Sequence, residues 1–238
     1  MLHHDLLFQK HQKEYQVQAV FLQSTLLLNR GDWFEVRPLP AEAQLAPVFS
    51  INVADFEGDG FEDIFLSQNF FDNEPEVPRY DAGRGLLLKG DGTGKFVAMS
   101  GAESGITIYG EQRGSAVADF DQDGRVDLVV SQNAGPTKLF HNLEAKPGLR
   151  VRLEGPPGNV AGLGAQVRLI FGSRPGPVRE IRAGSGYFSQ DSSTCVLSLP
   201  QTPSSIWVRW PGGKVTQSLI TGLPKQVVVS HAGTIDTK

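Results

Sequence analysis

The chain has a single cysteine, Cys195, among 238 residues, which excludes an internal disulfide. Its apolar setting, TCVLSL, reads as a buried strand position and not as a thiolate nucleophile. There is no excess of basic residues: the formal net charge is −4, which argues against nucleic acid as a partner. No apolar run is long enough to cross a bilayer. The opening MLHHDLLFQKHQKEYQ lacks the basic, apolar, small-residue order of a signal peptide. Catalytic signatures are missing too. GLGAQV at 162–167 runs into a strand pattern, so it is no dinucleotide fingerprint. AGSGY at 183–187 is not a G-x-S-x-G elbow. His3, His4, His141 and His231 read as structural or solvated, and Trp207 and Trp210 as one core aromatic and one candidate for sugar or protein contact. The expectation is a protein that is not an enzyme.

What is present is glycine and proline, 27 and 15 residues, the composition of many turns between short strands. Two acidic loops dominate. DFEGDGFED places carboxylates at positions 1, 3, 5 and 9, namely Asp55, Glu57, Asp59 and Asp63; DFDQDGRVD does the same with Asp119, Asp121, Asp123 and Asp127. Gly60 and Gly124 occupy position 6, and the position-7 carbonyls belong to Phe61 and Arg125. Four carboxylates in nine residues repel one another unless a cation intervenes. Hard oxygen donors at alternate positions with a glycine at the bend suit Ca²⁺, giving two expected sites. An EF-hand is excluded, because position 12 is Leu66 in one loop and Val130 in the other, and apolar strand patterns follow directly. Setting aside these eight carboxylates leaves the rest of the chain at about +4, and two bound Ca²⁺ would bring the total to about zero.

The loops belong to a repeat. VADFEGDGFEDIFLSQN and VADFDQDGRVDLVVSQN align without a gap at an offset of 64, Val53 on Val117 and Asn69 on Asn133. LLLNRGDWF at 26–34 likewise parallels LLLKGDGTGKF at 86–96. Such a period, filled by short strands, predicts stacked four-stranded units that cannot bury both faces alone. Arg30-Gly31-Asp32 spells a tripeptide that integrins recognise, but it sits where the second unit has a plain turn, and reads as one. The polar stretch 70–85, including Arg79 and Tyr80, reads as a surface insertion. Residues 1–24 have helical periodicity without Gly or Pro.

VADFEGDGFEDIFL and VADFDQDGRVDLVV resemble the FG-GAP/VCBS repeats of integrin α-type β-propellers. That resemblance implies Ca²⁺ held by the acids and the position-7 carbonyl of each blade loop. Further on, Gly162-Leu163-Gly164-Ala165, then Gly184-Ser185-Gly186-Tyr187 with Ser189-Gln190, then Val208-Arg209-Trp210-Pro211-Gly212-Gly213 resemble the ASPIC/UnbV domain of the cartilage acidic protein family and its bacterial relatives.

The resulting expectation is an all-β chain: a helical segment at 1–24, partial propeller blades at 25–145 and a small sandwich-like ASPIC/UnbV domain at 148–232. Its role is that of a Ca²⁺-binding interaction or adhesion module, outside the cell or on its surface, with a protein or glycan ligand. A carbohydrate-binding module, and a non-catalytic part of a larger hydrolase, are the alternatives. Two and a half units do not close a ring of about four to eight blades, so the chain is expected to be an N-terminally truncated piece of a longer protein. Removing Ca²⁺ is expected to loosen 50–142 and to spare 148–232.

Overall fold

The computed structural model describes residues 18–237. Most of the expected N-terminal helix lies outside them; residues 18–24 carry no helix, and the first element is a strand. The described residues hold eighteen short strands in all and two single-turn helices, so the chain is all-β, with small sheets in a propeller-like arrangement.

The first hairpin pairs β1 (Thr25–Asn29) with β2 (Phe34–Pro38) around the Arg30-Gly31-Asp32 turn. There Arg30 is tied to Glu35 at 2.7 Å, and the Gly31 N–H donates to Asn29 Oδ1 at 2.8 Å, so Arg30 and Gly31 are engaged within the turn. After a 3₁₀ turn (Ala41–Gln44) comes a four-stranded meander of β3 (Ser50–Ala54), β4 (Asp63–Ser67), β5 (Leu86–Gly90) and β6 (Phe96–Met99). A one-turn helix α1 (Gly101–Ser104), closed by a capping box between Ser100 and Glu103, leads to the next sheet. That sheet holds β7 (Glu111–Ala118), β8 (Asp127–Asn133) and β9 (Gly135–Phe140). Both meanders are antiparallel, as short turns between successive strands require.

Every residue of β4 is buried. Its two faces serve two cores, which is why DIFLS reads as a continuous run and not an alternation. Phe65 points with Phe56, Leu87 and Ile108 toward Val126, Leu128 and Val130 of the next sheet. Ile64 and Leu66 join Leu86, Leu88 and Ala43 on the other side.

The C-terminal portion is a sandwich. One sheet orders as β14 (Thr194–Leu197), β10 (Leu149–Glu154), β17 (Gln226–Ser230) and β18 (Ile235–Thr237). The other contains β12 (Arg174–Pro175), β11 (Gln166–Phe171), β15 (Ser205–Arg209) and β16 (Val215–Leu219), with β13 (Arg179–Glu180) also on β11. β10 and β17 run parallel; the other pairings of this portion are antiparallel. Alternate residues of both sheets meet in one core: Val151 and Leu153, Val167 and Leu169, Ile206 and Val208, Val227 and Val229. Trp210 fills its end, 1% exposed, with its indole N–H donated to Thr216 Oγ1 at 3.0 Å. Cys195 in β14 packs against the same core, and burial pushes its thiol up to about 11, far from nucleophilic.

Candidate metal centres

Each acidic loop connects the first two strands of its sheet, and its ninth residue is the first residue of the second strand. Asp63 opens β4 and Asp127 opens β8. The position-12 residues Leu66 and Val130 are wholly buried in the strands, which physically excludes them from any ion.

The two loops share one scaffold. In the first, Asp55 turns inward and accepts backbone N–H bonds from Gly58 at 2.7 Å and Asp59 at 3.2 Å on Oδ1, and from Gly60 at 2.6 Å on Oδ2. In the second, Asp119 accepts from Asp123 at 3.0 Å and Gly124 at 2.9 Å. The bend needs positive φ at position 6, which Gly60 and Gly124 supply at 97° and 87°. The ninth carboxylates are doubly held. Asp63 accepts from Phe56 N–H and Gly90 N–H, both at 2.9 Å. Asp127 accepts from Phe120 N–H at 3.0 Å and Asn142 N–H at 2.8 Å. Burial pushes Asp63 up to about 6 against these bonds, and it also raises Asp119, with its backbone bond from Gly124 and the Arg150 charge opposing.

The pairings Ile64↔Leu88 and Leu128↔Phe140 make Lys89 and His141 equivalent positions, each at the end of the third strand and beside its own acidic loop. Here the loops diverge. Lys89 forms an ion pair with Glu57 and lies 3.8 Å from Asp59, so the first loop carries a cation of its own. That pair also raises the Lys89 pKa. In the second loop His141 Nε2 lies 2.9 Å from Asp121 Oδ2 and 3.7 Å from Asp123 Oδ2, with its ring edge-on to Phe120. Burial raises the Asp123 carboxyl, but the side-chain and backbone bonds from Arg125 and the Arg125 and His141 charges together hold it below the usual range.

The loops therefore differ in readiness for a metal. Among the described residues, carboxylate oxygens of Asp119, Asp121 and Asp127 come within 4.8 Å of one another, and so do ligand atoms of Asp121, Asp123 and His141. The four acids of the first loop form no such group among the described residues. Its position-3 acid is turned toward Lys89; the bond from the position-7 N–H to the position-5 acid, at 2.9 Å, is common to both loops. His141, read from sequence as structural, is a neighbour of the second loop that the sequence did not single out.

Both loops also touch the C-terminal sandwich. Ser198 Oγ donates to Asp55, Arg150 Nε lies 3.4 Å from Asp119, Lys146 N–H donates to Glu57 O at 3.3 Å and Gly148 N–H to Gly124 O at 2.8 Å. The first carboxylate of each loop is thus a contact of the sandwich, the portion expected to be spared when Ca²⁺ is removed. Beside this joint lies a cavity of about 250 Å³ lined by Val53, Asp119, Arg179, Asp191 and Cys195 among others. Arg179 and Glu62, both in its lining, form an ion pair.

The aromatic residues considered for sugar contact are otherwise occupied. Trp210 is the core tryptophan, and Trp207 lies under the Arg168 guanidinium, 4.4 Å from the ring centroid. In the surface loop between β4 and β5, Arg79 stacks on Phe71 at 4.6 Å, beside an isolated bridge from Phe70 to Tyr80.

Residues 155–234 match the family described as ASPIC and UnbV. Cartilage acidic protein 1 of Xenopus tropicalis is 34% identical over 86 residues, and that of Mus musculus 33% identical over 86. Each match covers 36% of this chain and 12% of the relative, so the chain spans a small part of the curated proteins it resembles. No helix among the described residues is long and apolar enough to cross a membrane. The C-terminal sandwich, with its GLGA, GSGY and VRWPGG segments, is thus similar to the ASPIC and UnbV domain, and the chain has one stretch similar to cartilage acidic protein 1.

Proposed function

We propose that this chain is a Ca²⁺-binding interaction module of a matrix or cell-surface protein, built of FG-GAP/VCBS-type blades with an ASPIC/UnbV-like sandwich docked on them, and that its ions are structural. The observation that carries this reading is the convergence of Asp119, Asp121 and Asp127, hard oxygen donors on one turn. Two of the three are buried, and the side-chain cation facing Asp119 is Arg150 at 3.4 Å. A bound Ca²⁺ would add positive charge to that of Arg150 and Arg125 and offset the four clustered acids. The chain's own part is to hold the acids: backbone N–H groups fix Asp119 and Asp127, and Gly124 makes the bend. The first loop has the same scaffold and is the weaker of two sites, because an ion there must displace Lys89.

The matrix setting is supported by similarity to a relative whose name places it in cartilage. It also suits the affinity expected of extracellular modules, with Kd on the order of 10⁻⁴–10⁻³ M. The partner is a protein or glycan ligand bound by the assembled surface without turnover.

Calorimetric titration with Ca²⁺ tests the reading. A stronger site in this range that is lost in Asp121→Ala while the fold and the weaker first-loop site survive is the expected result; absence of binding at millimolar Ca²⁺ refutes it.

A further inference from the structure

The Gly184-Ser185-Gly186-Tyr187 segment lacks the nucleophile-elbow pattern, and it is a second place where the sandwich reaches the blades. Gly186 forms an antiparallel bridge with Ser50, the first residue of β3. A Cβ on Gly186 would lie 2.0 Å from Ser50 Oγ and 2.9 Å from Ser50 Cβ. Gly186 is not among the residues of positive φ, so space and not backbone conformation demands glycine there. On the neighbouring sheet the fit is reversed. A Cβ on Gly114 would lie 2.5 Å from the Tyr187 carbonyl oxygen and 3.3 Å from Ser189 Cβ. Ser50 and Gly114 are 64 apart, the same position in the two repeats.

The contacts continue along both strands. Asp191 Oδ1 accepts from Asn52 Nδ2 at 2.9 Å and from Val117 N–H at 2.8 Å. Ser192 N–H donates to Val117 O at 2.9 Å. Tyr187 stacks edge-on against Phe49, 5.9 Å between centroids. Asn52 and Ser115, wholly or almost wholly buried between the strands, are bonded to each other.

We infer that residues 184–192 are a docking key that recognises the inner strands of two successive blades by the small residue at one repeat-equivalent position. The partner surface of this part of the sandwich is therefore the blades themselves: a pair of adjacent inner strands with Ser or Gly at the 50/114 position, a buried Asn at 52 and a free N–H at 117. The inference stands on packing and hydrogen bonds and does not require the ion.

A complementary pair of substitutions tests it in the full chain. Gly186→Ala places a methyl against Ser50 and is expected to speed amide exchange of 184–192 and of Val117 roughly 10- to 100-fold, with β10 and β17 unchanged. Ser50→Gly removes the obstructing atoms, so the double variant Ser50→Gly/Gly186→Ala is expected to regain protection near that of Ser50→Gly alone. Unchanged exchange in Gly186→Ala overturns the inference, and so does a double variant as loose as the single. Should Gly186→Ala not fold, Asp191→Ala removes the acceptor shared by Asn52 and Val117. The same local loosening is expected there, and its absence overturns the inference equally.

Discussion

Replacing Lys89 by Met removes the built-in cation of the first acidic loop while keeping most of the stem. Two carboxylates face that ammonium, Glu57 in direct contact and Asp59 at 3.8 Å. At that distance two unit charges attract by about 1 kcal/mol in water and about 4 kcal/mol at the effective dielectric of a protein surface. The Lys89 side chain is 46% exposed, which puts the pair at the screened end, about 1 kcal/mol in all. Without Ca²⁺, Lys89→Met is therefore expected to lose about that much stability, because the acids face one another unscreened. With Ca²⁺ the sign reverses: the ion no longer competes with an ammonium, and its affinity at this loop rises about fivefold to tenfold. The assay is a calorimetric Ca²⁺ titration of Lys89→Met in an Asp121→Ala background, which isolates the first loop, paired with urea unfolding in Ca²⁺-depleted buffer. If Lys89→Met binds Ca²⁺ no better than its parent, or more weakly, Lys89 does not stand in the ion's place and the reasoning fails.

Further outcomes follow from the same geometry. In Ca²⁺-depleted buffer the Asp63 carboxyl is expected to titrate near 6 instead of the ordinary 3.8. Because the folded value is raised, its contribution to stability is complete below about 3.8 and is lost as pH rises through about 6; a carbon-detected NMR titration with a midpoint near 4 would refute this. Trp210→Ala is expected to cost about 3–5 kcal/mol in urea unfolding, since the ring is a core element and not a sugar platform. A loss below about 1 kcal/mol would mean that the sandwich does not depend on it.

Much of the candidate site was legible because its elements are local. Acids at 1, 3, 5 and 9, glycine at 6 and apolar residues at 12 all lie on one turn and the strand it feeds, and the gapless offset of 64 from Val53 to Asn133 identified the repeat. The role of Lys89 and His141 was hidden because the insertion at 70–85 breaks that offset. The two lie 52 apart in sequence, and only the pairings of Leu88 and Phe140 make them equivalent. The contacts of Asp55 with Ser198 and of Gly186 with Ser50 were hidden for a different reason. They join residues more than 130 positions apart, and nothing periodic in the sequence records which surface a glycine must clear. The helix expected at 1–24 lies mostly outside the described residues, and its last stretch, 18–24, carries no helix.

Amide hydrogen exchange of the full chain, with and without Ca²⁺, bears most directly on the claim that a metal-binding turn sits at the joint between blades and sandwich. Saturating Ca²⁺ is expected to slow exchange in 119–127 and, through Gly148 and Arg150, at the start of β10, while the inner strands β15 and β17 stay unchanged. Exchange that does not respond to Ca²⁺ in 119–127, or a response confined to the loop with none at 148–150, would contradict the account.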